Sequence, residues 1–193
     1  MHLFGSTDSG HSFKVKSYLQ LAGIAHTYEW IDLRTPRSSR PAHFQTASRF
    51  GEVPVLVVGG RALCQSNAIL LYLAGMTGKF AGPSEGQPNV SEWLCWEANR
   101  IGFSVPNLRV AIRWDKQPPD VLRFLRKRAV ADLDTLNASL GASEYLLPSG
   151  PSIADISCSA YLHWLDQANV SVSEYPNVER WLRSLRHLPG WQH

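Results

Sequence analysis

The spacing of apolar residues changes character once along this chain, and that change limits the folds open to it. Up to residue 76 they come in short strand-like runs. These are His2–Gly5, the alternating stretch HTYEWIDL over 26–33, and a near-continuous run over 53–58 that Gly59 and Gly60 turn back into Arg61–Cys64. From residue 90 onward they recur at steps of three and four, the spacing of a helix with one buried face. A strand changes side at every residue and a helix every 3.6, so one architecture does not serve both halves. The chain therefore predicts two dissimilar domains: an α/β domain over 1–76, a Gly- and Pro-rich linker over 77–89 and an all-helical domain over 90–193.

Within the first half, the first strand runs into the polar turn STDSGHS. That turn opens an amphipathic helix whose apolar side is Phe13, Val15, Tyr18, Leu19 and Ala22, stopped by Gly23. Residues 34–50 hold four arginines, two prolines and three serines and read as a solvated loop with one helical turn near 43–47. After the hairpin, Ser66 leads into the helix NAILLYLAG. The order is β-α-β, a loop, then β-β-α: a parallel crossover unit followed by a hairpin and a covering helix. In the second half, Val90, Leu94, Ala98, Ile101, Val105, Leu108 and Ile112 make one stripe. Pro106 falls inside it and predicts a kink or a break there. A second stripe runs from Leu122 to Leu140 and stops at Gly141. A third helix starts at Ser152 and a fourth follows Pro176.

With 44% hydrophobic and 18% charged residues the chain supports a sizeable core, and its net charge of +3 is spread without a long basic tract. Arg123, Arg126, Lys127 and Arg128 fit the solvated face of a helix, so no nucleic-acid partner is expected. Cys64, Cys95 and Cys158 form no CxxC and are odd in number, which argues against a disulfide framework or a metal cluster and for a reducing, cytoplasmic setting. They read as small buried hydrophobes. Neither a basic leader nor a long apolar segment is seen, so no membrane association is expected.

Three constellations carry chemistry. In Gly51-Glu52-Val53-Pro54 a proline opens a central-looking strand, which is tolerated at a strand start or where the peptide is cis or faces a ligand. In Gln65-Ser66-Asn67 a serine stands where a strand gives way to a helix. The helix amides and dipole favour a carboxylate there, although on this position alone plain capping by Ser66, which needs no ligand, is the favoured reading. In Ser9-Gly10-His11-Ser12 hydroxyls meet another helix start, where a thiolate would be stabilised, or where Ser12 simply caps. In the helical half, Ser152-Ile153-Ala154-Asp155 has the form of a capping box, a structural device rather than a catalytic one.

Taken together and in order, these segments resemble the cytosolic glutathione transferases. SGHSFKV resembles the family's first active-site turn in its serine-type, bacterial-like form. FQTASRFGEVPVL resembles F-x-x-x-N-P-x-G-x-V-P-x-L, ALCQSNAILLYLA resembles E/Q-S-x-A-I-x-x-Y-L, and PSIADIS resembles the S/T-x-A-D box. The resemblance spans about residues 1–185 and implies a thioredoxin-like domain followed by an all-helical one. It implies that Val53 offers its backbone N–H and C=O to the cysteinyl part of glutathione, with Pro54 as cis partner, and that Gln65 and Ser66 take the γ-glutamyl carboxylate. Ser9 resembles the thiol-activating hydroxyl, with Ser12 as a second candidate and His11 near the glycyl carboxylate. The loop cation is Arg34, Arg37 or Arg40. The sequence departs from the pattern at Ser48 and Arg49, where the family has Asn-Pro.

The resemblance further implies glutathione as cosubstrate with no metal, a small hydrophobic electrophile as second substrate, a homodimer, and a detoxifying transferase. The expected walls of the electrophile site are Phe103, Asn107, Leu108 and Trp114, beside the first loop. The first turn holds no cysteine, which argues against a mixed disulfide between enzyme and glutathione. Alternatives are a glutathione-dependent isomerase, a peroxidase or disulfide reductase, and a glutathione-binding protein without turnover.

Overall fold

β1 (His2–Gly5) lies between β2 (Thr27–Trp30) and β3 (Val55–Val58), and β4 (Arg61–Cys64) closes a four-stranded sheet of order β2-β1-β3-β4. The β1·β2 pair is parallel, because α1 (Gly10–Leu21) carries the chain back across the sheet, while β1·β3 and β3·β4 are antiparallel. The computed structural model describes residues 1–84 and 87–191, which divide into two units. The first spans Met1–Lys79 together with residues 189–191, and the second Phe80–Leu188. Residues 85 and 86 of the expected linker, and 192 and 193, lie outside the described residues.

Alternation along β1 sends Leu3 and Phe4 to opposite faces. Leu3 pairs with Leu56, and both are buried on the side of α1 and α3 (Ser66–Thr77). Phe4 packs with Ile31, Phe44, Val53 and Val55, and Phe44 comes from the short helix α2 (Ala42–Ala47) inside the arginine-rich loop. The buried face of α1 is more polar than its pattern suggests. Lys14 and Ser17 are buried beside Val15, Tyr18 and Leu19, whereas Phe13 is only half-buried. Phe13 instead meets Trp191 edge-on, with ring centroids 5.9 Å apart.

The second unit is helical throughout: α4 (Gln87–Asn99), α5 (Ile101–Arg113), α6 (Pro119–Ser139), α7 (Ile153–Ser159) and α8 (Pro176–Arg186), with short 3-10 turns between them. α5 packs along α6, and α4 against α7. The break in the first apolar stripe falls at Arg100 (φ −119°, ψ −100°) and not at Pro106, which sits inside α5. The stripe also mislocates one residue. Ala98 is exposed and Glu97 turns inward, because Val90, Leu94 and Glu97 fall at steps of four and three on one face of α4. Gly102 permits this corner. A Cβ there would overlap Glu97 Oε1 and stand 2.8 Å from the Glu97 carbonyl oxygen. Gly102→Ala is therefore expected to cost about 1–3 kcal/mol through overpacking. Thermal unfolding checks this, and an unchanged midpoint contradicts it.

Asp155 organises the second unit. Its Oδ2 accepts from the Ser152 amide (2.9 Å) and hydroxyl (3.0 Å), completing the capping box, while Ser152 Oγ accepts from the Ala154 amide at 3.2 Å. Its Oδ1 accepts from the Leu146 amide and from Trp181 Nε1, each at 2.9 Å. One carboxylate thus ties α7 to the preceding loop and to α8.

Candidate functional site

The register of the sheet assembles the site. Phe4 pairs with Val55, and Val55 with Cys64, so three chain segments leave the sheet at the same end. They are the turn after Gly5, the peptide before Val55, and the step from Cys64 into α3. The helices that follow β1 and β4 both start there. Two helix N-termini at one sheet end make a natural place for negative charge, since their first amides have no partner within the helix.

At the first of these, Ser9 rather than Ser12 occupies the cap position. Ser9 Oγ accepts from the Ser12 amide at 3.2 Å, and Ser12 Oγ accepts from the Ser6 amide at 3.1 Å. The capping role read for Ser12 thus belongs to Ser9, and Ser12 ties the turn to the end of β1. An accepting hydroxyl keeps its own proton as a donor. Ser9 is 6% exposed and Ser12 1%. His11 lies half-buried in the first turn of α1, and Lys14 Nζ donates to Asn67 Oδ1 (3.3 Å), bracing α1 on α3.

At the second, Ser66 is the first helical residue and not the cap. Gln65 holds the cap position and makes no capping hydrogen bond. Its backbone lies at φ +70°, ψ 115°. A non-glycine residue there stores about 1–3 kcal/mol of strain, a cost that recurs at ligand sites. Between the two helix ends, the Val53-Pro54 peptide is cis, and the ladder with β1 begins at Val55, leaving Val53 outside it.

The loop arginines separate by what they already hold. The Arg34 amide and guanidinium donate to Asp32, whose carboxyl is held below its usual value chiefly by that amide. Arg40 donates to three carbonyls, Gly51 (2.7 Å), Thr35 (3.1 Å) and Leu33 (3.1 Å), and so staples the loop. Arg37 instead lies across Gly51 with its Nη2 3.7 Å from Glu52 Oε1. Ser48, at the departure from the Asn-Pro pattern, closes its own turn: its Oγ donates to the Glu52 carbonyl (2.8 Å) and accepts from the Glu52 amide (2.9 Å). The sequence named Ser48 only as a departure from the pattern and gave Glu52 no role of its own. The signal was there in a serine that opens the turn it closes four residues on.

Of the residues expected to wall a second substrate, Phe103 and Trp114 are exposed on the helical unit. Asn107 Nδ2 donates to the Phe103 carbonyl (2.6 Å), and Leu108 is core rather than wall. A shallow cleft of about 530 Å³ on the α2 side of the sheet, floored by Phe4, Ala47, Val57 and Ala62, includes none of the site residues. Among the described residues no group of three His, Cys, Asp or Glu is placed to hold a metal, and no helix is long and apolar enough to cross a membrane.

A thioredoxin-like unit with two helix starts and a cis-proline at one sheet end, followed by a helical unit, defines a class of fold and site. Comparison with known proteins gives the family. Residues 8–76 match the glutathione S-transferase N-terminal domain, and residues 110–184 the glutathione S-transferase C-terminal domain. Among curated proteins the chain is 27% identical over 199 residues to the disulfide-bond oxidoreductase YfcG of Escherichia coli K12, covering 97% of this chain and 90% of the relative. Among solved structures it is similar to a glutathione S-transferase from Pseudomonas fluorescens Pf-5 (27% identity, TM-score 0.90, 100% of this chain and 97% of the other). It is likewise similar to one from Xanthobacter autotrophicus Py2 (29% identity, TM-score 0.89, 99% and 95%). The chain belongs to the glutathione S-transferase family, whose activity is to activate the glutathione thiol for attack on small hydrophobic electrophiles.

Proposed function

We propose that this chain binds glutathione along the shared sheet end and that the Ser9 hydroxyl donates to its sulfur. The register Phe4–Val55–Cys64, which gathers two helix N-termini around the Val53-Pro54 peptide, is the observation that carries the reading. Val53 pairs through its backbone with the cysteinyl residue. Ser66 and the start of α3 take the γ-glutamyl carboxylate, with Gln65 beside it. Arg37 supplies the loop cation, because Arg40 already serves three carbonyls. His11 stands near the glycyl carboxylate, and Ser12 serves the turn.

A free thiol with a pKa near about 8.5 is mostly protonated at neutral pH. A hydroxyl donor and a helix N-terminus together lower it by about one to three units, each unit worth about 1.4 kcal/mol. The thiolate attacks an electrophilic carbon, a C–S bond forms, and the leaving group departs with the bonding pair. The protein makes no covalent bond; it orients and stabilises charge. The same reading gives a homodimer acting in the cytoplasm.

The relationship to YfcG supports a second reading, glutathione-dependent disulfide reduction. Here the glutathione thiolate attacks a disulfide, forms a mixed disulfide with one half and releases the other half as a thiolate. A second glutathione resolves the mixed disulfide to glutathione disulfide. No protein cysteine is needed, in keeping with a first turn that has none. A panel of an aryl halide, an organic hydroperoxide, a mixed disulfide and a maleyl compound separates the activities. The reading expects a thioether product from the aryl halide. Turnover of the disulfide alone moves the assignment to reduction, and glutathione binding without any turnover contradicts an enzymatic role.

A further inference from the structure

Glu52 is a charged group at the sheet end to which the glutathione reading gives no part. Its backbone is held at both polar atoms by Ser48 Oγ, so its side chain leaves from a fixed point immediately before Val53. From there its two oxygens go to different segments. Oε1 faces Arg37 Nη2 at 3.7 Å, and Oε2 accepts from Gln65 Nε2 at 3.5 Å. Arg37 is directed there by Gly51, which has φ +65° and whose missing Cβ would stand 3.2 Å from Arg37 Cδ. Two of the side-chain donors assigned to the ligand, Arg37 and Gln65, are thus drawn to one carboxylate of the protein itself.

Glutathione is an anion at neutral pH, with two carboxylates and one ammonium. We infer that Glu52 is an internal competitor: in the ligand-free chain its carboxylate holds the donors that glutathione's carboxylates take on binding, and so it sets the affinity of the site. The inference rests on the glutathione reading. The pairing is built to open, since the Glu52 and Arg37 side chains are 54% and 66% exposed, and ion pairs of that kind are weak and salt-screened. Its effect is to weaken binding of an anionic ligand while keeping Arg37 and Gln65 oriented toward the place the ligand will occupy.

Isothermal titration of glutathione into the full chain tests this with wild type, Glu52→Gln, Arg37→Ala and the double variant, at low and high salt. Glutamine keeps the size and polarity of Glu52 and removes only its charge. Glu52→Gln is expected to lower Kd about two- to fivefold at low salt, with a smaller gain at high salt. In the Arg37→Ala background the same change should gain less than twofold, because the shared partner is gone and the two effects no longer add. Unchanged or weaker binding by Glu52→Gln, or the full gain persisting without Arg37, overturns the inference while leaving the glutathione site standing. Failure of the wild type itself to bind glutathione sinks the underlying reading, and the inference with it.

Discussion

Asp155→Ala is expected to destabilise the chain by about 3–5 kcal/mol, the range for removing one partner from a fully buried charged network. The carboxylate is fully buried and receives four hydrogen bonds. Three of the donors, the amides of Leu146 and Ser152 and the Trp181 indole N–H, are themselves fixed in place. Each is left buried without an acceptor at about 1–3 kcal/mol apiece before relaxation. For a chain of this length the loss corresponds to a fall in Tm of about 10 °C. The effect should act through folding and should not be specific to glutathione, because Asp155 and its donors Leu146, Ser152 and Trp181 all belong to the helical unit. A change in Tm below about 2 °C would contradict this account.

The same group makes stability depend on pH with a definite sign. Burial pushes the Asp155 carboxyl above the usual aspartate range, and its donors pull it part of the way back. A raised folded value means that the native chain keeps a proton the unfolded chain has released. The contribution is therefore fully present below the ordinary aspartate pKa and is lost as pH rises through the folded value. In urea unfolding, the stability advantage of wild type over Asp155→Asn should be largest at acid pH and narrow as pH rises. A gap that widens with pH has the wrong sign.

Ser9→Ala carries the second large effect, on chemistry rather than folding. Removing the donor should lower turnover about 10- to 100-fold near neutral pH, below the roughly 100- to 1,000-fold cost of deleting one oxyanion-hole donor, because the helix N-terminus still favours the thiolate. Glutathione affinity should change little, since the contacts assigned to Val53, Gln65 and Ser66 remain. Ser9 also caps α1, so the alanine variant should lose about 1 kcal/mol of stability. Two comparisons separate these roles. Ser9→Thr keeps both hydroxyl functions and should retain activity. The Ser9→Ala defect should shrink as pH is raised, because base then supplies the thiolate that the hydroxyl no longer favours. A defect equal at every pH would mark Ser9 as a structural cap alone.

What the sequence disclosed and what it withheld follow a physical line. The strands, the hairpin and α1 were legible because alternation, Gly59 and Gly60, and the Ser-rich turn act over a few residues. The Ser152–Asp155 box was legible for the same reason. The break before α5 was not: local propensity points to Pro106, whereas the corner is set by how closely Gly102 lets α5 approach Glu97. The exchange of roles between Ser9 and Ser12 turns on where α1 starts, three residues earlier than a Ser12 cap would place it, which spacing alone does not resolve. Arg40 and Arg37 look alike in sequence and differ only in which carbonyls the folded loop brings near. The grouping of Trp191 with the first unit, against Phe13, is a contact across nearly the whole chain and leaves no local trace.

A serine hydroxyl at the start of α1 is expected to lower the pKa of bound glutathione. Titrating the ultraviolet thiolate absorbance of glutathione bound to wild type, Ser9→Ala and Ser12→Ala tests it most directly. The expected result is a wild-type pKa about one to three units below that of the free thiol, a return toward the free value in Ser9→Ala, and little change in Ser12→Ala. A wild-type value equal to that of free glutathione, or a Ser9→Ala value equal to wild type, would contradict it.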